Sequence, residues 1–192
     1  IKSIPMSNKS NSAYYNLTEK DEYYTPALLV DVVLPFIKSN SVIWCPFDTN
    51  QSEFVKVLDG AGHLTIQSHI WQGFDFFNYQ PPKFDYVISN PPFSLKMEVL
   101  ERLLMIGKPF AMLLNMSCMN YAGVKKIVRE NEIQLLVPDK NVSFDGIKSP
   151  PFTSVFYCYK MLPAEMVHVI VRHKNTGKNY EPSSMYNLNL VY

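Results

Sequence analysis

Short apolar runs recur along the chain and are separated by polar, Pro-containing or Gly-containing turns. Branched and aromatic side chains in such runs favour strands, because they pack well on a pleated surface. The runs predict strands over 41–44, 64–68, 84–89, 109–115, 133–137, 153–159 and 167–171. The chain is therefore predicted to build a sheet of several short strands.

Four segments between these runs have the spacing or the end signals of helices. Thr25 followed by Pro26 predicts an N-cap and a first helical residue, within the segment 21–37. Over 94–106, apolar residues recur at a spacing near 3.6, which predicts an amphipathic helix. The predicted helices lie within 21–37 and over 53–59, 94–106 and 123–130.

The order of these elements indicates an α/β fold. Strands that alternate with helices about every 20 residues form a mostly parallel sheet with helices on both faces. The last two runs, 153–159 and 167–171, have little helix between them and predict an antiparallel hairpin at the sheet edge.

Three regions of the chain differ in composition. Residues 1–20 are polar and predict a flexible N-terminal arm. Residues 21–163 predict one domain, and residues 164–192 predict a C-terminal strand and tail, part of that domain or appended to it.

Composition limits the classes of function. The 192 residues are 47% hydrophobic and 18% charged, as in an ordinary globular protein, and the net charge is +1. No global field therefore attracts a polyanion, and any nucleic-acid site must be a local patch. Three widely spaced cysteines with no C-x-x-C pair favour reduced thiols and a cytoplasmic location over disulfides or zinc. We expect no membrane span and no signal peptide, because no apolar run is long enough.

The most informative segment is Asn90-Pro91-Pro92-Phe93, which follows a predicted buried strand. Two prolines cannot continue a strand, so the amide of Asn90 and the ring of Phe93 lie at the strand end, where open α/β sheets bind ligands. An amide, a fixed carbonyl and an aromatic face can together hold a planar base that carries an exocyclic amine. An ordinary turn is the other interpretation, since Asn-Pro commonly ends strands.

Together with Tyr24-Thr25-Pro26, a Pro-Phe turn after the first strand and Gly-x-Asp-Phe, this tetrapeptide resembles the S-adenosylmethionine-dependent adenine-N6 DNA methyltransferases over about residues 20–160. The resemblance implies a Rossmann-like class I methyltransferase sheet, and Asn90, Pro91, Pro92 and Phe93 as the catalytic tetrapeptide. It implies that the Asn90 oxygen and the Pro91 carbonyl accept the two hydrogens of the target amine, while Phe93 stacks on a flipped base. No metal is required.

The same resemblance implies a set of cofactor contacts. Tyr24, Thr25 and Pro26 match an element that holds the methionine end of S-adenosylmethionine, although a simple helix cap explains them equally. Asp75 and Phe76 match an Asp-Phe pair that contacts the cofactor's adenine; a solvated Asp beside core aromatics is the alternative. Pro46 and Phe47 match the turn after the first strand.

The chain departs from the family's pattern in that turn. Cys45 takes the place of an acid, Thr49 and Gln51 take the places of glycines, and Asp48 offers a displaced carboxylate. After the second strand, Ser68 and His69 stand where a ribose-binding acid is usual. A divergent active subfamily and a silent copy both remain open, and the intact tetrapeptide favours the former.

Nucleic acid is the expected partner, DNA before RNA, with a further subunit as a possible source of target recognition. Phe144, Lys148 and Phe152, in the predicted loop 139–152, are candidates for the substrate pocket. Candidate phosphate contacts, each also explained as a solvated face, are Lys125, Lys126, Arg129, Arg172, His173, Lys174 and Lys178. RNA or another planar amine would suit the tetrapeptide equally well.

Overall fold

The computed structural model describes residues 25–139, 142 and 153–169. Within these residues, seven strands form one sheet in the order β2-β1-β3-β4-β6-β5-β7. The strands are β1 (Val42–Cys45), β2 (Leu64–Gln67), β3 (Tyr86–Ser89), β4 (Phe110–Asn115), β5 (Gln134–Pro138), β6 (Ser154–Tyr159) and β7 (Met166–Val169). The predicted α/β class and the mostly parallel sheet are confirmed.

Four α-helices and four short 3-10 turns connect the strands of the described part. The helices are α1 (Ala27–Asp31), α2 (Glu53–Gly60), α3 (Lys96–Ile106) and α4 (Ala122–Glu130). The 3-10 turns are Leu34–Phe36, Ile70–Gln72, Phe93–Leu95 and Met116–Asn120. Ser52 caps α2 by accepting a hydrogen bond from the Phe54 N–H, and Gly107 ends α3 with φ of 71°.

Both faces of the sheet are buried, which explains the continuous apolar runs in the sequence. Side chains alternate along each strand, so that Ile43 faces the layer of α1 and α2 while Trp44 faces the layer of α3 and α4. In the same way, Ile88 belongs to the first layer and Val87 to the second. The sheet therefore separates two apolar cores, and polar chemistry is confined to its edges and ends.

The predicted C-terminal hairpin is wrong in its pairing. β6 does run antiparallel, but it lies between β4 and β5 and pairs with both of them. β7 pairs with β5 in parallel at the edge of the sheet. β6 is buried along nearly its whole length, whereas β7 alternates between exposed and buried residues. A strand buried on both faces takes an interior position, and an alternating strand tolerates the edge.

The position of β1 creates a crevice in the sheet. β1 pairs in parallel with β2 on one side and with β3 on the other. The chain leaves β1 towards α2 and leaves β3 towards α3, and these helices cover opposite faces. Open α/β sheets bind ligands in the crevice at the carboxyl ends of two strands related in this way. Residues after Cys45 and after Ser89 therefore meet at one site.

The three cysteines, Cys45, Cys118 and Cys158, are buried free thiols. In the part of the chain that the structure describes, no helix has the length and apolar character to cross a bilayer.

Candidate active site

The Asn90-Pro91-Pro92-Phe93 segment leaves β3 at the crevice. Pro91 is buried, Asn90, Pro92 and Phe93 are half-buried, and Phe93 begins a 3-10 turn that leads into α3. Pro92 has φ of −55° and ψ of 124°, a conformation that ends the strand. The predicted helix over 94–106 thus begins as a 3-10 turn and becomes α-helical at Lys96. The two prolines make the corner rigid.

Thr25 contacts the tetrapeptide directly. The Asn90 Nδ2 atom donates a hydrogen bond to Thr25 Oγ1 over 3.2 Å, and Thr25 is buried. The sequence predicted Thr25 as the N-cap of the first helix, and that prediction is wrong. Pro26 occupies the N-cap position, α1 begins at Ala27, and no side chain caps it. The structure therefore brings Thr25, which precedes Pro26 in the chain, into contact with Asn90.

Asp48 follows the end of β1 and is only 6% exposed. Its carboxylate accepts hydrogen bonds from Ser52 Oγ and from Ser89 Oγ, the latter over 2.5 Å. These bonds tie the end of β1 to the end of β3, one residue before Asn90. No Lys or Arg of the described part of the chain forms an ion pair with Asp48.

Burial without a countercharge changes the acidity of Asp48. Desolvation raises the pKa of its carboxyl group to about 6, and the two serine hydrogen bonds oppose that rise. Asp48 also contributes, after burial itself, to raising the pKa of the Cys45 thiol well above its usual range. Cys45 is therefore a buried neutral thiol, and the acid of this turn stands three residues later.

The aromatic residues predicted to contact the cofactor have different environments. Phe47 is half-buried, and its ring centroid lies 4.9 Å from that of Phe76. Phe76 is 1% exposed and packs between Trp44 and Phe77, at centroid distances of 5.4 and 5.3 Å. The structure thus places Phe76 in the aromatic core and Phe47, half-buried, against that core.

Asp75 is half-buried and stabilises its own turn. Its Oδ1 atom accepts from the Phe77 N–H over 2.9 Å, and its Oδ2 atom accepts from Asn78 Nδ2 over 2.6 Å. The Asp75 carbonyl also accepts from Tyr79 N–H over 2.7 Å. These are the bonds of an Asx-type turn, and each carboxylate oxygen keeps a further lone pair for a ligand.

The loop between β1 and α2 is held by side chains where glycines were expected. Thr49 Oγ1 accepts from the Gln51 N–H over 3.3 Å, and the Thr49 carbonyl accepts from the Ser52 N–H over 3.0 Å. Gln51 is exposed. Pro46, which opens this loop, is buried. The turn therefore gains its shape from hydrogen bonds rather than from glycine conformations.

The end of β2 is joined to β1 by Ser68. Its Oγ atom accepts from Trp44 Nε1 over 2.9 Å, deep in the core. The next residue, His69, accepts from the Trp71 N–H at Nδ1, and the two rings lie 4.5 Å apart. Burial lowers the pKa of His69, so the ring is neutral at pH 7. Its Nε2 atom is then the nitrogen that carries the proton.

Lys96 is a site residue that the sequence reasoning did not single out. Its Nζ atom donates to the Phe93 carbonyl over 3.2 Å and lies 4.3 Å from the ring centroid of Tyr121. Its position three residues after Phe93, on a predicted helix, was the available signal.

Several predicted site residues lie outside the described residues. They are Tyr24, Phe144, Lys148, Phe152, Arg172, His173, Lys174 and Lys178, together with the predicted N-terminal arm 1–20. Among residues 25–139, 142 and 153–169, no group of three His, Cys, Asp or Glu side chains is arranged to hold a metal ion.

Comparison with known proteins adds one partial match. No protein-family model matches the chain. Over 53 residues the chain is 40% identical to a Type II methyltransferase, M.EcoRI, of Escherichia coli. The match covers 28% of this chain and only 16% of that protein, so it concerns a segment rather than a whole architecture. The chain is therefore similar to a Type II methyltransferase over part of its length.

Proposed function

We propose that this protein transfers a methyl group from S-adenosylmethionine to the exocyclic N6 amine of adenine in nucleic acid, with DNA as the preferred substrate. The observation that carries the proposal is the position of Asn90, on a rigid diproline corner at the crevice and hydrogen-bonded to Thr25. The partial match to a Type II methyltransferase supports the same class of reaction.

Asn90 and Pro91 supply the acceptors that this reaction needs. The amine of adenine shares its lone pair with the ring and is a poor nucleophile. Accepting its two hydrogens, at Asn90 Oδ1 and the Pro91 carbonyl, turns the lone pair towards the methyl donor. As the new N–C bond forms and the S–C bond breaks, the sulfur leaves as a neutral thioether and the nitrogen releases one proton. Holding both reactants in line accounts for most of the acceleration.

S-adenosylmethionine supplies, when bound, a methyl group on a positively charged sulfonium centre. Asp48 fits such a cation, because it is a buried carboxylate whose partners among the described residues are two serine donors. A positive charge nearby would lower the pKa of Asp48 towards its ordinary value, and the attraction would stabilise the complex. Thr25, Pro26, Pro46, Phe47, Asp75, Phe76 and Asn90, with Tyr24 outside the described residues, remain the proposed cofactor contacts.

DNA is proposed over RNA because the partial relative is a Type II methyltransferase, which favours a place in restriction-modification. Phe93, Phe144, Lys148 and Phe152 are the proposed substrate contacts, the last three outside the described residues. A partner subunit that supplies target recognition belongs to the same proposal.

The proposal is tested by methyl transfer from labelled S-adenosylmethionine to unmethylated DNA and, in parallel, to RNA. Asn90→Ala should lower the transfer rate by about 10² or more, by analogy with the loss of one preorganised polar group, and should lower cofactor affinity far less than the rate. Asn131→Ala is the matched control, since Asn131 caps the far end of α4 through the Ile127 carbonyl. An Asn90→Ala variant with the wild-type rate would refute the catalytic assignment.

A second candidate function is a catalytically silent protein that binds nucleic acid or another chain. Thr49 and Gln51 in place of glycines, and the burial of Phe76 in the core, favour it. Titration calorimetry separates the two functions: binding heat with S-adenosylmethionine supports the enzyme, and its absence with intact DNA binding supports the silent protein.

A further inference from the structure

Lys96 connects the diproline corner to an exposed aromatic ring. Its Nζ atom bonds the Phe93 carbonyl and lies over the ring of Tyr121. Tyr121 is 57% exposed. A lysine over an exposed ring leaves the other ring face available to a planar group.

Tyr121 also opens α4 and begins a line of basic residues. The Lys125 N–H donates to the Tyr121 carbonyl, so these residues stand one helical turn apart, and Arg129 follows after another turn. Lys125 and Arg129 are exposed, whereas Val124 and Ile127 bury the opposite face. Residues four apart share one face of a helix, and each pair is about 6 Å apart along the axis. We call Lys96, Tyr121, Lys125 and Arg129 the basic stripe.

Close packing of α3 against α4 fixes the start of the basic stripe. A Cβ atom added at Gly123 would lie 2.6 Å from the Met97 Cε atom, so Met97 packs directly on the backbone of α4. Lys96 directly precedes Met97, and Tyr121 lies two residues before Gly123. Their approach is therefore set by the packing of two helices and not only by the attraction between a cation and a ring.

The charges of the basic stripe are accessible to a ligand. Arg129 is 79% exposed, and its one described ion pair, with Glu130, is a surface contact of 3.5 Å. Such surface pairs are weak, so a phosphate can replace the carboxylate. The chain as a whole has a net charge of +1, so attraction of a polyanion depends on local groups of this kind.

From this arrangement we infer that the basic stripe binds the strand of nucleic acid that flanks the target adenine, with Lys125 and Arg129 on phosphates and Tyr121 stacked on a neighbouring base. The inference rests on the proposed function, because it assigns a path to the substrate of that reaction. Aromatic rings beside a row of cations are the general means of binding single strands without reading their sequence. The stripe begins at the diproline corner, so a strand on it passes the site of transfer.

The test measures fluorescence anisotropy of a labelled single-stranded DNA of mixed sequence, about 20 nucleotides long, with the full chain over a range of salt concentrations. The double variant Lys125→Ala/Arg129→Ala should weaken binding about tenfold and lower the slope of log affinity against log salt by roughly 1.5. Tyr121→Ala should weaken binding to a similar extent with the slope unchanged, because stacking releases no counterions, and Tyr121→Phe should restore it.

The control is Lys83→Ala/Lys108→Ala, which removes two exposed positive charges near the amino ends of β3 and β4, the ends of these strands away from the diproline corner. An equal loss of affinity in this control would overturn the inference, as would an unchanged affinity and slope in the stripe variant. The assay involves no methyl transfer. If binding depends on the basic stripe but the chain methylates nothing, the proposed function is refuted and the inference about the stripe holds. If the chain methylates nucleic acid but binding does not depend on the basic stripe, the inference is refuted and the proposed function holds.

Discussion

The side-chain amide of Asn90 donates to the hydroxyl oxygen of Thr25 over 3.2 Å, although 65 positions separate the two residues in the chain. An asparagine amide has an oxygen and an NH2 group of nearly equal shape, and only its hydrogen-bond partners decide which of them faces a ligand. In the proposed reaction, the bond from Nδ2 to Thr25 turns Oδ1 towards the substrate amine as its acceptor, so we propose Thr25 as a positioning residue for Asn90.

Removing the Thr25 hydroxyl should therefore slow methyl transfer. Thr25→Val keeps the shape and loses the acceptor, so we expect the single-turnover rate at saturating cofactor to fall by roughly 10². Thr25→Ser keeps the acceptor and should retain most of the rate. If Thr25→Val instead weakens cofactor affinity in calorimetry and leaves the saturated rate unchanged, Thr25 is a cofactor contact and does not orient Asn90.

Asp48 should make folding stability depend on pH in an unusual direction. Its pKa in the folded protein is about 6 against an ordinary 3.8, so the folded state binds the proton more tightly than the unfolded chain. This contribution is fully present below about pH 4 and is lost as the pH rises through about 6. The difference corresponds to about 3 kcal/mol.

Comparison with Asp48→Asn isolates this contribution from that of other carboxylates. The free energy of unfolding of the variant, minus that of the wild type, should rise by up to about 3 kcal/mol between pH 4 and pH 7 in urea titrations. Ser89→Ala removes a hydrogen bond that lowers the pKa of Asp48, so in that background the rise should be larger and should extend to higher pH. A difference that stays constant with pH would show that Asp48 is not perturbed.

The same carboxylate should couple cofactor affinity to pH. Ionised Asp48 favours a cationic ligand, so S-adenosylmethionine should bind more tightly as the pH rises from about 5 to about 7. S-adenosylhomocysteine has no sulfonium charge and should show a smaller rise. Asp48→Asn should make both affinities independent of pH in this range. Cys45, the other titratable group beside Asp48, stays a neutral thiol throughout. If the affinities of the two ligands depend equally on pH, Asp48 does not interact with the sulfonium charge.

Asp75 has two roles that substitution can separate. Asp75→Ala removes both bonds of the turn and should lower stability by about 1 kcal/mol as well as weaken cofactor binding. Asp75→Asn keeps an acceptor for the Phe77 N–H, so it should preserve most of the stability. It should still weaken cofactor binding, because the carboxylate is lost. Unchanged cofactor affinity in Asp75→Asn would remove Asp75 from the site.

Much of the fold follows from local pattern. The apolar runs around Val87 and Leu113 locate the strands, and the two prolines after Asn90 locate the end of β3, because these signals act within a few residues. The crevice then follows from the order of strands and helices. What local pattern does not encode is non-local pairing, such as the insertion of β6 between β4 and β5.

The contacts at the site that local pattern did not predict have the same physical origin. Thr25 has the features of a helix cap, but its hydroxyl bonds a side chain from the end of β3 instead. Phe76 lies in a run of aromatics whose burial depends on Trp44, 32 positions earlier in the numbering. Asp48 could be placed near the crevice from its position after β1, but its two serine partners come from α2 and β3. The bond with Ser52 was predictable from helix capping, whereas the bond with Ser89 required the parallel pairing of β1 with β3.

Alkylation of the three buried thiols can report the opening of different parts of the fold. Cys45 and Cys158 lie on central strands, so an alkylating reagent reaches them only when the sheet comes apart. Cys118 lies in the turn after β4, close enough for the charge of Lys96 to act on it. Labelling of Cys118 ahead of the other two would report movement beside Tyr121, and protection of Cys118 by an oligonucleotide would record binding there without any reporter dye.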